Sequence, residues 1–277
     1  MFGANLKAML KKIILYQQKP AAGIPEEDLT IMQAEKPHFL CLPEYFFVGD
    51  DVKSQTETAG QAGQNKEWLA NLSRQLDCVV IGGSMVEEAN GKFFNTCFIY
   101  SKGEEVGFYR KRNPFGREAT FGISPGEKIE VFEIGGVRVG VLICADVLIP
   151  GIFKEMRALK PQIIFCPTTS AFREEDTVEA KKERDLKIFI TGAHESCAYV
   201  AKTCAAGNLL NRSLQGRSLI AAPWGVIRRV DFADEDKKQI LTATLNLRML
   251  KNWRGEVLKM TPADWDFDFG RKDRYPP

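Results

Sequence analysis

The sequence predicts a mixed α/β fold: two sheets packed face to face, with helices on the outside. Eleven segments alternate or run apolar over strand lengths, two-residue turn signals join several of them, and helical stripes separate others. Taken in order, KKIILYQ (11–17) and HFLCL (38–42) flank a helix pattern from Glu26 to Glu35. A second stripe, from Lys66 to Leu76, brings Trp68, Leu69, Leu72 and Leu76 to one side before CVVIGGSMV (78–86). KFFNTCFIY (92–100), VGFYRK (106–111), KIEVFEI (128–134) and VRVGVLIC (137–144) follow. Asn90-Gly91 and Gly135-Gly136 have the chemistry of two-residue hairpin turns, and Lys102-Gly103 begins another, so residues 78–144 read largely as an antiparallel meander. Helix patterns at Ile152–Leu159 and 177–190 surround QIIFC (162–166), and SCAYVAKTC (196–204), SLIAAP (218–223) and QILTATLNL (239–247) complete the strands. Strands apolar along their whole length imply cover on both faces.

One internal echo stands out. EKPHFLCLPE and LKPQIIFCPTT each place Lys-Pro, an apolar strand with a cysteine near its end, and a second proline after a helix pattern. This suggests two similar strand-helix units within one domain spanning 1–277, since long linkers and low-complexity segments are absent.

Composition narrows the function classes. Hydrophobic residues at 44% of 277 allow a sizeable core, and a net charge of +2 without long like-charge blocks argues against nucleic acid and anionic membrane as partners. No apolar run reaches transmembrane length, and MFGANLKAMLKK lacks the apolar stretch of an export signal, so the expectation is a cytoplasmic protein. Seven cysteines without CxxC spacing, and only two histidines, speak against a disulfide scaffold and against a metal site.

Scarcity of histidine shapes the search for chemistry. His38 and His194 lie in no nucleophile motif, so a cysteine nucleophile here would take a carboxylate as its base. Glu44 closes an apolar strand in HFLCLPEYFF; it reads either as a loop carboxylate or as a base whose aromatic neighbours exclude water and raise its pKa. Lys111 ends the strand FYRK ahead of a Pro and Gly loop leading to Glu118, a setting for either a solvated basic face or an oxyanion donor held by a carboxylate. Cys144 ends a strand and precedes a short turn, where its thiolate and the Ala145 amide can act together as at a nucleophile elbow. Cys166 also ends a strand, but Pro167 offers no N–H to an oxyanion.

In order and spacing, LPEYF with Glu44, YRKRNPF with Lys111 and VGVLICAD with Cys144 resemble the Glu-Lys-Cys triad of the nitrilase, or carbon-nitrogen hydrolase, superfamily. FFNTCFIYSKGEEVGFYRK is similar to the family's meander, and Glu118 with FGISPGE to its second-glutamate loop. ADVLIPGIFKEMRALKPQIIFCPTTS, GAHESCAYVAKTCAAG around Glu195, and LQGRSLIAAPWGVIRR continue the resemblance over roughly residues 11–250. It implies a four-layer αββα sandwich, no metal or organic cofactor, and a homodimer or higher homo-oligomer, with residues 251–277 packing on a partner subunit. It also implies that Glu44, Lys111, Cys144 and Glu118 are catalytic and that Ala145 and Thr169 lie at the oxyanion and substrate. Ala145 stands where many members carry an aromatic residue, and Gly192 and Ser196 where Arg and Asn are frequent.

The function expected is hydrolysis of a linear carbon–nitrogen bond in an amide or N-carbamoyl compound through a cysteine thioester. Arg173 is either a surface residue beside Glu174 and Glu175 or the partner of a substrate carboxylate. A true nitrilase, a silent binding protein of the same fold, and a thiol redox protein using Cys144 with Cys166 are the alternatives.

Overall fold

The structure is a computed structural model that describes residues 9–257. Its first sheet has seven strands: β1 (Leu10–Gln17), β2 (Phe39–Cys41), β3 (Val79–Ile81), β4 (Met85–Ala89), β5 (Lys92–Ser101), β6 (Glu104–Arg110) and β15 (Gln239–Asn246). They run in the order β15-β1-β2-β3-β5-β4, with β6 also paired to β5. The second sheet has the order β14-β13-β10-β9-β8-β7, from β7 (Val131–Ile134), β8 (Val137–Val141), β9 (Ile163–Thr168), β10 (Tyr199–Cys204), β13 (Leu219–Ala222) and β14 (Gly225–Arg229).

Each sheet has a parallel trio at its heart, β1-β2-β3 in one and β8-β9-β10 in the other, with antiparallel strands outside. The central strands, β2 and β9, are the two halves of the sequence echo. Alternation along β1 explains the layering. Ile13 and Leu15 enter the core between the sheets with Val139 and Phe165, while Ile14 and Tyr16 turn outward to Met32 of α1 (Glu26–Glu35) and Leu69 of α2 (Ala62–Gln75). Across the interface the rings of Phe39 and Phe165 stand 5.7 Å apart. On the outer face of the second sheet, α4 (Ile152–Ala158) brings Met156 over Gly140, where an added Cβ would come within 3.1 Å of it. Each fully buried Ile, Leu or Phe contributes about 1.5–3 kcal/mol, so these two-sided strands dominate stability. The order helix, sheet, sheet, helix is the αββα sandwich expected.

The three hairpin turns are as the sequence predicts. Asn90-Gly91, Lys102-Gly103 and Gly135-Gly136 all have positive φ at both residues, the geometry that matches strand twist. The meander itself divides: the β7–β8 hairpin belongs to the second sheet, a choice that local alternation does not encode. Residues 78–86 form two strands, because at Gly83, with φ +65, an added Cβ would meet the Pro43 carbonyl oxygen at 2.1 Å. That close approach seats the loop carrying Glu44. The predicted helix from 177 is α5 (Val178–Asp185), continued by a π-turn (Leu186–Ile190) and α6 (Thr191–Ser196), so the following strand starts only at Tyr199. Gly192 is required there, since an added Cβ would lie 2.5 Å from the Phe153 ring. The hairpin β11 (Gly207–Leu209) with β12 (Arg212–Leu214), strand β14, and α7 (Leu247–Val257) are elements the sequence reading did not predict. Of the tail expected on a partner subunit, residues from 258 onward lie outside those described.

Candidate active site

The C-terminal ends of β2, β6, β8 and β9 open on a cavity of about 380 Å³ lined by Glu44, Lys111, Glu118, Cys144, Ala145 and Thr169, among others. Ligands and catalytic groups gather at such strand ends in parallel sheets, because the connecting loops there are free to carry side chains inward. Glu118 arrives separately, on the single-turn α3 (Arg117–Thr120) after the Pro and Gly loop.

Lys111 Nζ is shared between two carboxylates, 2.8 Å from Glu44 Oε1 and 2.7 Å from Glu118 Oε2. All three are buried, Lys111 with 2% of its side chain exposed. Burial alone would lower the Lys111 pKa; the charges of Glu44, Cys144 and Glu118 outweigh it and hold the ammonium above its ordinary value. For Glu118, burial would raise the pKa, but Lys111 outweighs it and holds the carboxyl below the usual range. Asn95 ties the two carboxylates together, donating from Nδ2 to Glu44 Oε1 at 3.1 Å and to Glu118 Oε1 at 2.8 Å. The hydroxyl of Tyr45 donates to Glu118 Oε1.

The second oxygen of Glu44 is held by Thr169, whose backbone N–H donates at 2.9 Å and whose hydroxyl also donates. The Thr169 carbonyl accepts from the Cys144 thiol at 3.2 Å. Thr169 therefore touches both partners of the proton transfer expected between them.

Cys144 stands at φ +46, at the start of a 3-10 turn over Cys144–Leu148. A side chain in this left-handed conformation marks a sharp strand-to-turn elbow. The first N–H groups of such a turn, Ala145's among them, have no acceptor within it and are available to an anion. Burial, then the Glu44 carboxylate, push the Cys144 thiol above its ordinary value, while Lys111 pulls it down. The other six cysteines are buried and form no disulfide; Cys166 belongs to the core between the sheets and does not line the cavity.

Asp146 locks the elbow. It is fully buried and accepts from the N–H groups of Ile143 (2.9 Å), Arg112 (3.0 Å) and Asn113 (2.8 Å) and from the Tyr109 hydroxyl (2.7 Å). Asn113 Nδ2 in turn donates to the Ala145 carbonyl at 2.8 Å. The strand end carrying Lys111 and the turn carrying Cys144 are thus one hydrogen-bonded unit. Replacing Asp146 with alanine strands four donors, those of Ile143 and Tyr109 buried and those of Arg112 and Asn113 half-buried, and we expect a loss of about 2–4 kcal/mol in chemical denaturation together with a large fall in kcat. Unaltered stability and turnover would refute this positioning role.

Of the residues anticipated at the site, Glu44, Lys111, Glu118, Cys144, Ala145 and Thr169 share the cavity, and Arg173 lines it as an exposed residue. Glu195 is elsewhere, on outer helix α6 with Lys154 as its 3.8 Å ion partner. His38 accepts from the Lys12 N–H at the opposite strand ends, and His194 packs edge-on against Trp253. Sequence reasoning missed Asn95, Tyr45 and Asp146. The only signal for Asn95 is a polar residue inside an apolar strand pattern, FFNTCF, and for Asp146 a carboxylate two positions after the candidate nucleophile.

This sandwich, with its cavity at the strand ends, places the chain among the hydrolases of carbon–nitrogen bonds in the nitrilase superfamily. The chain belongs to the carbon-nitrogen hydrolase family, whose model matches residues 4–255. It is 26% identical over 261 residues to the 2-oxoglutaramate amidase of Bacillus subtilis, covering 93% of this chain and 94% of that relative. The carbon-nitrogen hydrolase from Helicobacter pylori G27 superposes with a TM-score of 0.77 at 18% identity, over 95% of this chain and 99% of the other. Nit3 of Saccharomyces cerevisiae, a member of the nitrilase superfamily, gives 0.74 at 20% identity, over 92% and 97%. Among the described residues no helix is long and apolar enough to cross a membrane, and no group of three or more His, Cys, Asp or Glu is placed to hold a metal ion.

Proposed function

We propose that the chain hydrolyses a small-molecule amide through a thioester on Cys144. One observation carries this reading: a thiol on an elbow opens into the same cavity as a lysine clamped between two buried carboxylates. Glu44 takes the thiol proton as the sulfur adds to the carbonyl carbon, and Lys111 with the Ala145 N–H receives the charge developing on oxygen. Glu44 then returns that proton to the nitrogen, the C–N bond breaks and ammonia leaves. Water gives a proton to Glu44 and attacks the thioester; the C–S bond breaks, the acid leaves, and the thiol regains its proton. Glu118 holds Lys111 in place and charged, and Thr169 aims Glu44 at the sulfur.

Because Lys111 is already hydrogen-bonded and desolvated in the free enzyme, little reorganisation is required as the oxyanion forms. The name of the Bacillus subtilis relative, an amidase, favours an amide over a nitrile or an N-carbamoyl compound. The test is ammonia release from a panel of short amides, N-carbamoyl amino acids and nitriles, with mass spectrometry of the quenched protein. We expect turnover of amides and an acyl adduct on the peptide containing Cys144. Turnover without any adduct on that cysteine, or no turnover of any amide, overturns the reading.

A further inference from the structure

The cavity carries a second charged cluster, distinct from the catalytic one and built on β10, α5 and the segment before β13. Lys202 is a lysine with 1% of its surface exposed, and Arg217 has 4%. Both line the cavity. Behind them, outside the lining, Asp185 accepts from Lys202 Nζ at 3.1 Å and Arg217 Nη1 at 3.4 Å through Oδ1, and from Arg229 Nη2 at 2.7 Å through Oδ2. Lys181 joins the group through its carbonyl, which accepts from Arg217 at 3.3 Å, and its own ammonium pairs with Glu235 at 2.6 Å. Four cations, Lys181, Lys202, Arg217 and Arg229, thus face two carboxylates, Asp185 and Glu235, leaving two positive charges in excess.

Arg229 reaches water with 24% of its side chain exposed, whereas Lys202 and Arg217 are buried, and charge held away from water is costly unless an anion meets it. Of this cluster only Lys202 and Arg217 line the cavity while Asp185 does not, so it is these two cations that meet whatever enters. Two polar atoms of cavity-lining residues are also left unpaired. Arg217 Nε and Gln215 Oε1 are buried without a hydrogen-bond partner, and both residues line the cavity. The π-turn Leu186–Ile190 begins directly after Asp185 and places Ile188 and Phe189 in the cavity wall, with the Phe189 ring 4.7 Å from Lys202 Nζ. Extra residues of this kind within helices recur at functional sites.

We propose that Lys202 and Arg217 form an anion subsite that selects an amide bearing a carboxylate at the end remote from its reacting bond. The inference rests on the amide-hydrolase reading and names the group that reading leaves open. β8, which leads to Cys144, and β10, which carries Lys202, lie on either side of β9, so the two residues are rooted about 10 Å apart. A short dicarboxylic monoamide, with the reach of the lysine added, spans such a gap. Arg173, the cation that the sequence singles out, is exposed and screened by solvent, whereas a desolvated charge at the cavity wall discriminates strongly between charged and neutral ligands.

The test compares kcat/KM for glutaramate and for valeramide, an anionic and a neutral amide of equal chain length. In the unmodified protein glutaramate is preferred. In Lys202→Met the ratio of the two constants falls roughly 30- to 100-fold, the scale of a lost charge-assisted hydrogen bond, chiefly through the KM for glutaramate. Lys202→Arg retains most of the preference. A structural role alone would lower both constants together and leave the ratio where it was, and that result overturns the subsite. Calorimetric binding of glutarate to Cys144→Ala protein, with and without Lys202→Met, reads the subsite without turnover; equal affinity in the two overturns it as well. Glutarate binding that depends on Lys202, in a protein that hydrolyses neither amide, would sink the hydrolase reading and leave the anion subsite standing.

Discussion

Lys111→Met is expected to lose about 3–5 kcal/mol of folding stability and nearly all turnover, and to shift the pH of maximum stability downward. Among the described residues Lys111 is the one cation paired with Glu44 and Glu118, and removing one partner of a buried ion cluster leaves its charges uncompensated. The sign follows from linkage. In the unmodified protein Glu118 has a folded pKa below its unfolded value of about 4.3, so its charge contributes stability above that pH and the contribution is lost as the pH falls through the folded value. Without Lys111, the burial that raises the Glu118 carboxyl is no longer outweighed, and protonation then relieves the uncompensated charge. Urea titrations at several pH values between 4 and 8 check this. A variant whose stability rises with pH as steeply as that of the unmodified protein would contradict the charge assignment.

Glu44→Gln is expected to lower kcat by about a thousandfold, within the usual contribution of a general base, while making the Cys144 thiol more acidic. Two effects separate here. The Glu44 carboxylate raises the thiol pKa and Lys111 lowers it; neutralising Glu44 removes the first influence and leaves the second. At neutral pH the variant therefore holds more thiolate and alkylates faster with iodoacetamide, although it no longer passes protons to nitrogen or takes them from water. Alkylation rates measured across pH 6–10 should show a midpoint displaced downward relative to the unmodified protein. An upward displacement would mean that Glu44 does not lie in the electrostatic reach of the sulfur. Preserved ammonia release would remove Glu44 from the role of base. The opposed directions of turnover and alkylation distinguish this outcome from simple misfolding, which depresses specific chemistry and exposes all seven cysteines at once.

Both clusters draw on the same physical device. In each, buried cations that line the cavity are held by carboxylates, so that their field acts on whatever enters. At the end proposed to be catalytic, Lys111 sits between two acids that balance its charge until, in the proposed reaction, charge develops on a substrate oxygen. At the Lys202 end, the carboxylates are outnumbered, and the field is present before any reaction begins. A ground-state anion is matched by the second arrangement, and a transition-state oxyanion by the first.

Much of this molecule is legible from local chemistry. Alternation in KKIILYQ, the continuous apolar run of QIIFC, and positive-φ residues at Asn90-Gly91 and Gly135-Gly136 are decided within a few residues, and the structure follows them. The strand ends at Glu44, Lys111 and Cys144 are visible for the same reason: each apolar run stops abruptly on a residue able to do chemistry. Tertiary structure alone decided the rest. Nothing within the β7–β8 hairpin says which sheet it joins, because both sheets accept the same alternation. Asn95, Asp146, Lys202 and Arg217 read locally as polar interruptions of strand or turn patterns; apart from the Ile143 N–H beside Asp146, their partners lie 17 to 51 residues away in the chain, so they acquire meaning only when those partners are folded against them. Short-range periodicity determined the elements and the tips that carry reactive groups. Long-range packing determined which tips meet, and which buried charges are left facing the cavity.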